Sequence, residues 1–178
     1  MNQYNPEKYP PVEDEPTREN PRLAEELKRM LQENQTEASS EISSSTVEVS
    51  RRLSELDPWV DAADMLSQSR VMRNFLGMLM NSPNAPAEAQ TINEALARLH
   101  QGAVDKKSLE GHVQAGTLPE GSSESYEQMM SRIHDSIQAA LTALQASLDV
   151  LKQSPQYGRT AGELEGQVVS QIVQARGQ

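Results

Sequence analysis

SYEQMMSRIHDSIQAALTALQASLDVLK, residues 125–152, contains neither proline nor glycine, and its apolar residues recur at helical spacing. Met130, Ile133, Ile137, Leu141, Leu144, Leu148 and Leu151 follow one another in steps of three and four. That spacing puts all seven on one face of a helix. Two consecutive steps of four form a stutter, which relaxes supercoiling locally without ending the seam. The stretch therefore predicts a long amphipathic helix made to pack against other helices. The seven residues are the candidate partner-binding seam.

Composition agrees with an all-α chain. Of 178 residues only 3% are aromatic, with one Trp and one Phe. Leu, Ile, Val, Met and Ala must then fill the interior, which suits helix–helix seams better than a thick globular core. The net charge is -10, from 26 acids and 16 bases, with no run of Lys or Arg. Phosphate backbones are bound by clustered positive charge, so the balance argues against nucleic acid as a direct partner. There is no Cys, which excludes disulfides, thiol nucleophiles and thiolate-held zinc. No window approaches the roughly 18 apolar residues of a membrane span. The opening MNQYNPEKYPPVEDEP has no apolar centre and no basic start, which argues against a Sec-type signal. The cytoplasm or the inside of an assembled particle is the expected location.

Residues 1–20 carry Pro6, Pro10, Pro11 and Pro16, which favour extended backbone and read as either a free tail or a docking arm. Tyr4, Tyr9 and Val12 are the candidate anchors of this acidic arm on a partner surface. Residues 21–57 form an N-terminal helical segment, opened by Asn20-Pro21 and holding the Ser-rich stretch 36–46, which reads as either helix or linker. Asp57-Pro58 predicts a cap and first turn for a Met-rich helix over 58–80. Its methionines, Met65, Met72, Met78 and Met80, read foremost as core filler. A second reading is a face that repacks on a partner or lies on a membrane, the membrane being disfavoured because Arg70 and Arg73 are its only cations. After the loop at Pro83 and Pro86, Ala89, Ile92, Leu96 and Leu99 mark a shorter helix, and the hairpin spans 58–101. Gly102 is the expected stop, with a glycine-containing loop over 102–123, interrupted at most by a short helix from Asp105 to Glu110 and serving as a crossing between subdomains or a binding loop. Residues 124–178 hold the long helix and a C-terminal helix, with Thr160–Glu163 as its expected capping box. Ala139, Ala143 and Ala146 mark a second packing side of the long helix. Gly158, Gly162 and Gly166 read as softening the C-terminal helix. The long helix is expected against 58–80 and 160–176.

No chemistry-bearing motif stands out. His100, His112 and His134 lack partners at metal-ligand spacing, and no phosphate loop, nucleophile elbow or EF-hand pattern occurs. No cofactor or catalytic residue is expected. The predicted architecture is an elongated helical bundle, or coiled-coil-like hairpins, with an extended N-terminal arm. With so few aromatics and so many Gln and Ser, the chain is expected as a homo-oligomer or as a subunit among others. In composition and layout it resembles the small helical accessory proteins of bacteriophage particles, such as scaffolding, internal and ejection proteins. That resemblance implies a non-enzymatic structural or assembly subunit, a virion component. The alternative is an adaptor or chaperone of a secretion-type machine, with an enzyme as a third class for which no site can be nominated.

Overall fold

The structure is a computed structural model, and it describes residues 25, 26, 28, 29, 46–117 and 124–177. The chain divides into two units, Met1–Ile42 and Ser43–Gln178. In the first, Glu25, Glu26, Lys28 and Arg29 are helical. The expected arm, with Tyr4, Tyr9 and Val12, lies outside the described residues, as does the Ser-rich stretch up to residue 45. All that follows concerns the second unit, which is all-α.

Its described residues form six helical segments: α1 (46–54), α2 (Asp57–Gln68), α3 (Arg70–Met80), α4 (Ala87–Ala115), α5 (Tyr126–Lys152) and α6 (Gly158–Arg176). Around the core the neighbours run α2–α4–α5–α6 and back to α2, with α5 meeting α2 across the middle. Asp57, at the start of α2, reaches Lys106 in the second half of α4. Phe75 and Ser82 meet Tyr157 at the α5–α6 turn, where α4 begins and α5 ends. These landmarks make α2 antiparallel to α4, so each neighbour in the ring runs opposite to the next, as in an up-and-down four-helix bundle.

The predicted long helix is α5, with Ser125 as its cap. The Ser125 hydroxyl accepts from Gln128 N at 3.3 Å and Gln128 Oε1 accepts from Ser125 N at 2.9 Å, a complete capping box. All seven seam residues are buried, Ile137, Leu144 and Leu148 completely. The small residues beside them differ from expectation. Ala140 and Ser147 are buried, Ala143 is half-buried, and Ala139 and Ala146 face solvent.

The main neighbour of α5 is α4, which extends well past the expected stop. Gly102 does not end it, and the loop expected over 102–123 is helix as far as Ala115. The reason is tertiary: a Cβ on Gly102 would stand 2.6 Å from Cγ1 of the fully buried Ile137. Glycine is there to let two helices meet. Leu99, Gly102, Lys106, Leu109 and Val113, all buried, then continue a seam in steps of three and four. The helix ends at Gly116, in the left-handed conformation at φ 66°.

The helix expected over 58–80 is two helices. Ser69 has extended backbone (φ -57°, ψ 116°), and its hydroxyl accepts from Met72 N at 3.3 Å to cap α3. Arg73 Nε donates to the freed Ser67 carbonyl at 3.1 Å. Asp57 is the first residue of α2 rather than its cap. The buried Leu56 precedes it in helical conformation, and α1 passes into α2 through turn bonds from Leu56 N to Leu53 O and from Trp59 N to Leu56 O.

The start of α6 also departs from expectation. Its N-cap is Tyr157, so Thr160 lies inside the first turn and forms no capping box. Tyr157 is anchored by its buried ring, edge-on to Phe75, and by a 3.1 Å bond from its hydroxyl to Ser82 Oγ. Gly158 then passes so close to the Lys152 carbonyl that a Cβ would stand 2.6 Å from its oxygen. Tertiary anchoring has fixed the helix start a turn early.

Candidate interaction surface

The seam of α5 joins helices of its own chain. Met130, Ile133, Ile137, Leu141, Leu144, Leu148 and Leu151 belong to one continuous core with Ile92, Leu99, Leu164 and Val168. Those side chains reach a separate protein only if the bundle opens.

Among the described residues, half of the large apolar side chains left exposed lie on α2 and α3, and the rest are single valines on α1, α4, α5 and α6. Met72 is completely buried, but Met65 is 58% exposed, Val71 56%, and Met78 and Met80 48% each. The reading of these methionines as core filler holds for one of the four. Geometry explains the rest. On α3 the buried stripe is Met72, Phe75 and Leu79. Val71 and Met78 flank it on one side, Leu76 and Met80 on the other. The apolar arc is about 200° wide at 100° per residue, more than a helix on one side of a bundle can bury. The neighbours of α3 are chiefly α4 and α2.

The polar features nearby are structural in character. Lys106 is buried on α4, with its ammonium hydrogen-bonded to Asp57 of α2 and Glu110 of its own helix. Burial alone pushes this ammonium down. The bonds to Asp57 and Glu110 outweigh burial and hold it above the ordinary lysine value. His134 is half-buried beside the seam, its ring edge-on to Trp59 with centroids 5.3 Å apart and Gln138 Nε2 2.9 Å from its Nε2. Arg52 of α1 pairs with Glu127 of α5 and Glu48 of its own helix. Hydrogen bonds from Arg51 first, then Arg52, hold the Glu48 carboxyl down at about 2. Lys152 bridges Asp149 and Glu165 at 2.9 and 2.7 Å, tying α5 to α6.

Two open depressions mark the surface. One, of about 300 Å³, lies between α1 and α5 and is lined by Arg52, Leu56, Glu127, Met130 and His134. The other, of about 400 Å³, is a groove between α2 and α4 lined by Val60, Asp61, Asp64, His100, Val104 and Lys107 among others. Among the described residues no group of three His, Asp or Glu is placed to hold a metal ion. No helix among them is long and apolar enough to cross a membrane. No family model, curated protein or solved structure matches this chain.

Sequence reasoning missed Lys106 and the α2–α4 groove, and held the exposed flanks of α3 only as its second reading. For Lys106 a signal existed: it falls in step with Leu99, Leu109 and Val113, an apolar register in which a lysine needs partners. For α3 the signal was the width of its apolar arc.

Proposed function

We propose that this protein is a non-enzymatic assembly subunit, which docks on other subunits of a larger complex through the Val71 and Met78 flank of α3. The observation that carries this reading is that surface. Val71 and Met78, adjacent on one flank of α3, stay about half exposed although the core beside them is closed. Flexible methionine side chains suit a face that adapts to a partner. The phage-particle resemblance names the finer form, a virion component of the internal or scaffold kind.

The test uses the cells that make the protein. Tagged wild-type chain should sediment well above 19.7 kDa at a fixed ratio to its companions. The double variant Val71→Glu, Met78→Glu should fall into the light fractions with its Tm unchanged, since both side chains are exposed. Wild-type protein found only in the light fractions would sink the reading.

A further inference from the structure

The groove between α2 and α4 has walls of opposite charge. The α2 wall carries Asp61 and Asp64, and the α4 wall carries Lys107. Along the middle run Val60 and Ala103, both half-buried, and Val104, 45% exposed. Lys106 does not contribute free charge: its ammonium is held by Glu110 on its own wall and by Asp57 of α2, two carboxylates to one ammonium, so Lys107 alone makes the α4 wall basic. Among the described residues Asp61 and Lys107 find no hydrogen-bond or ion-pair partner, although they line the same groove.

We infer that this groove is the interface of a two-fold dimer, its occupant a second copy of the same α2–α4 face. The charge pattern makes it self-complementary in one orientation. Two layers of two helices can face each other about an axis along the helices or about one across them. An axis across them lays α2 on the partner's α2, acid on acid. An axis along them lays α2 on the partner's α4, so Asp61 faces the partner copy's basic wall, and the reverse pair forms by symmetry. Setting Asp57 level with Lys106 places Asp61 and Lys107 about 7 Å apart along the axis, within the reach of a lysine arm. The valines and alanines between them close the contact, giving a four-helix layer pair of ordinary geometry. This deepens the assembly reading by naming one of its joints, and it rests on that reading only in taking the chain to be a subunit.

Charge exchange tests it on the full-length protein by sedimentation equilibrium over a range of concentrations. The wild type should form a reversible dimer of twice 19.7 kDa. Asp61→Lys alone and Lys107→Glu alone should each raise the dimer dissociation constant about tenfold or more, because each sets like charges together twice. An equimolar mixture of the two variants should regain wild-type affinity, since each clash then becomes an attraction. A merely structural effect of either substitution would not be cured by mixing. If either variant loses Tm, Val104→Gln on the same exposed line should weaken the dimer in its place. A monomeric wild type, a dimer indifferent to both charge changes, or a mixture that stays monomeric overturns the inference. A dimer lost only in Val71→Glu, Met78→Glu overturns it as well and moves the joint to α3. The assembly reading fails separately, by wild-type sedimentation in cells.

Discussion

Two buried positions on α4 show how single residues decide this fold, and both look like errors until their neighbours are considered. A glycine inside a helix costs about 1 kcal/mol relative to alanine. At Gly102 that loss is accepted because Ile137 occupies the space a Cβ would need. Gly102→Ala should therefore destabilise by about 1–2 kcal/mol in chemical denaturation, overpacking outweighing the gain in propensity. A Cβ on Gly111 would meet nothing within 4 Å, so Gly111→Ala should stabilise by up to about 1 kcal/mol. Equal shifts of the two would refute the close-approach account. Lys106 is the other case. Its carboxylate partners are well exposed, so Lys106→Met should change stability by less than about 1 kcal/mol. Asp57→Asn with Glu110→Gln leaves a buried ammonium unpaired and should cost about 1–3 kcal/mol. The sign with pH follows from the raised ammonium. Its contribution is complete below the unfolded value of 10.5 and is lost as pH rises through the higher folded value. The gap between wild type and the double variant should thus be flat from neutral pH up to about 10 and close above it.

At the scale of elements, the caps separate local from tertiary control. Ser125 and Ser69 each accept a bond from a backbone amide, so Ser125→Ala and Ser69→Ala should each cost about 1 kcal/mol. Thr160 caps nothing, and Thr160→Ala should leave Tm within error. A loss at Thr160 equal to that at Ser125 would mean that α6 starts at the sequence motif after all. The contrast also shows what could be read beforehand. The seam of α5 was legible because its signal is local and uninterrupted; the Ser125–Gln128 capping box, equally local, was passed over. α4 was legible only to Leu99, because Gly102, Gly111 and Lys106 interrupt its period and are explained by Ile137, open solvent and Asp57. The early start of α6 at Tyr157 was hidden for the same reason: its anchors, Phe75 and Ser82, are distant in sequence. The exposed flanks of α3 were ranked below core filler because a count of methionines does not say how much of the helix a bundle will cover.

The whole molecule puts the α5 seam inside rather than between copies, and this changes what a mutation there would report. Leu144 and Leu148 are fully buried among side chains of the chain's own helices. Removing either side chain alone costs about 2–5 kcal/mol, and a carboxylate in its place must also be desolvated or protonated. Two such changes match or exceed the roughly 5–15 kcal/mol that holds a domain of this size together. Leu144→Asp with Leu148→Asp should therefore abolish helicity in far-UV circular dichroism, not merely dissociate an oligomer. Val150 lies on the outer face of the same helix, and Val150→Asp should leave helicity and Tm near wild type. If the Leu144, Leu148 pair instead gave a folded monomer, α5 would be a joint between chains. Unfolding would place its work within one bundle, and leave the proposed assembly to surfaces that bundle exposes, the Val71 and Met78 flank of α3 and the groove of α2 and α4.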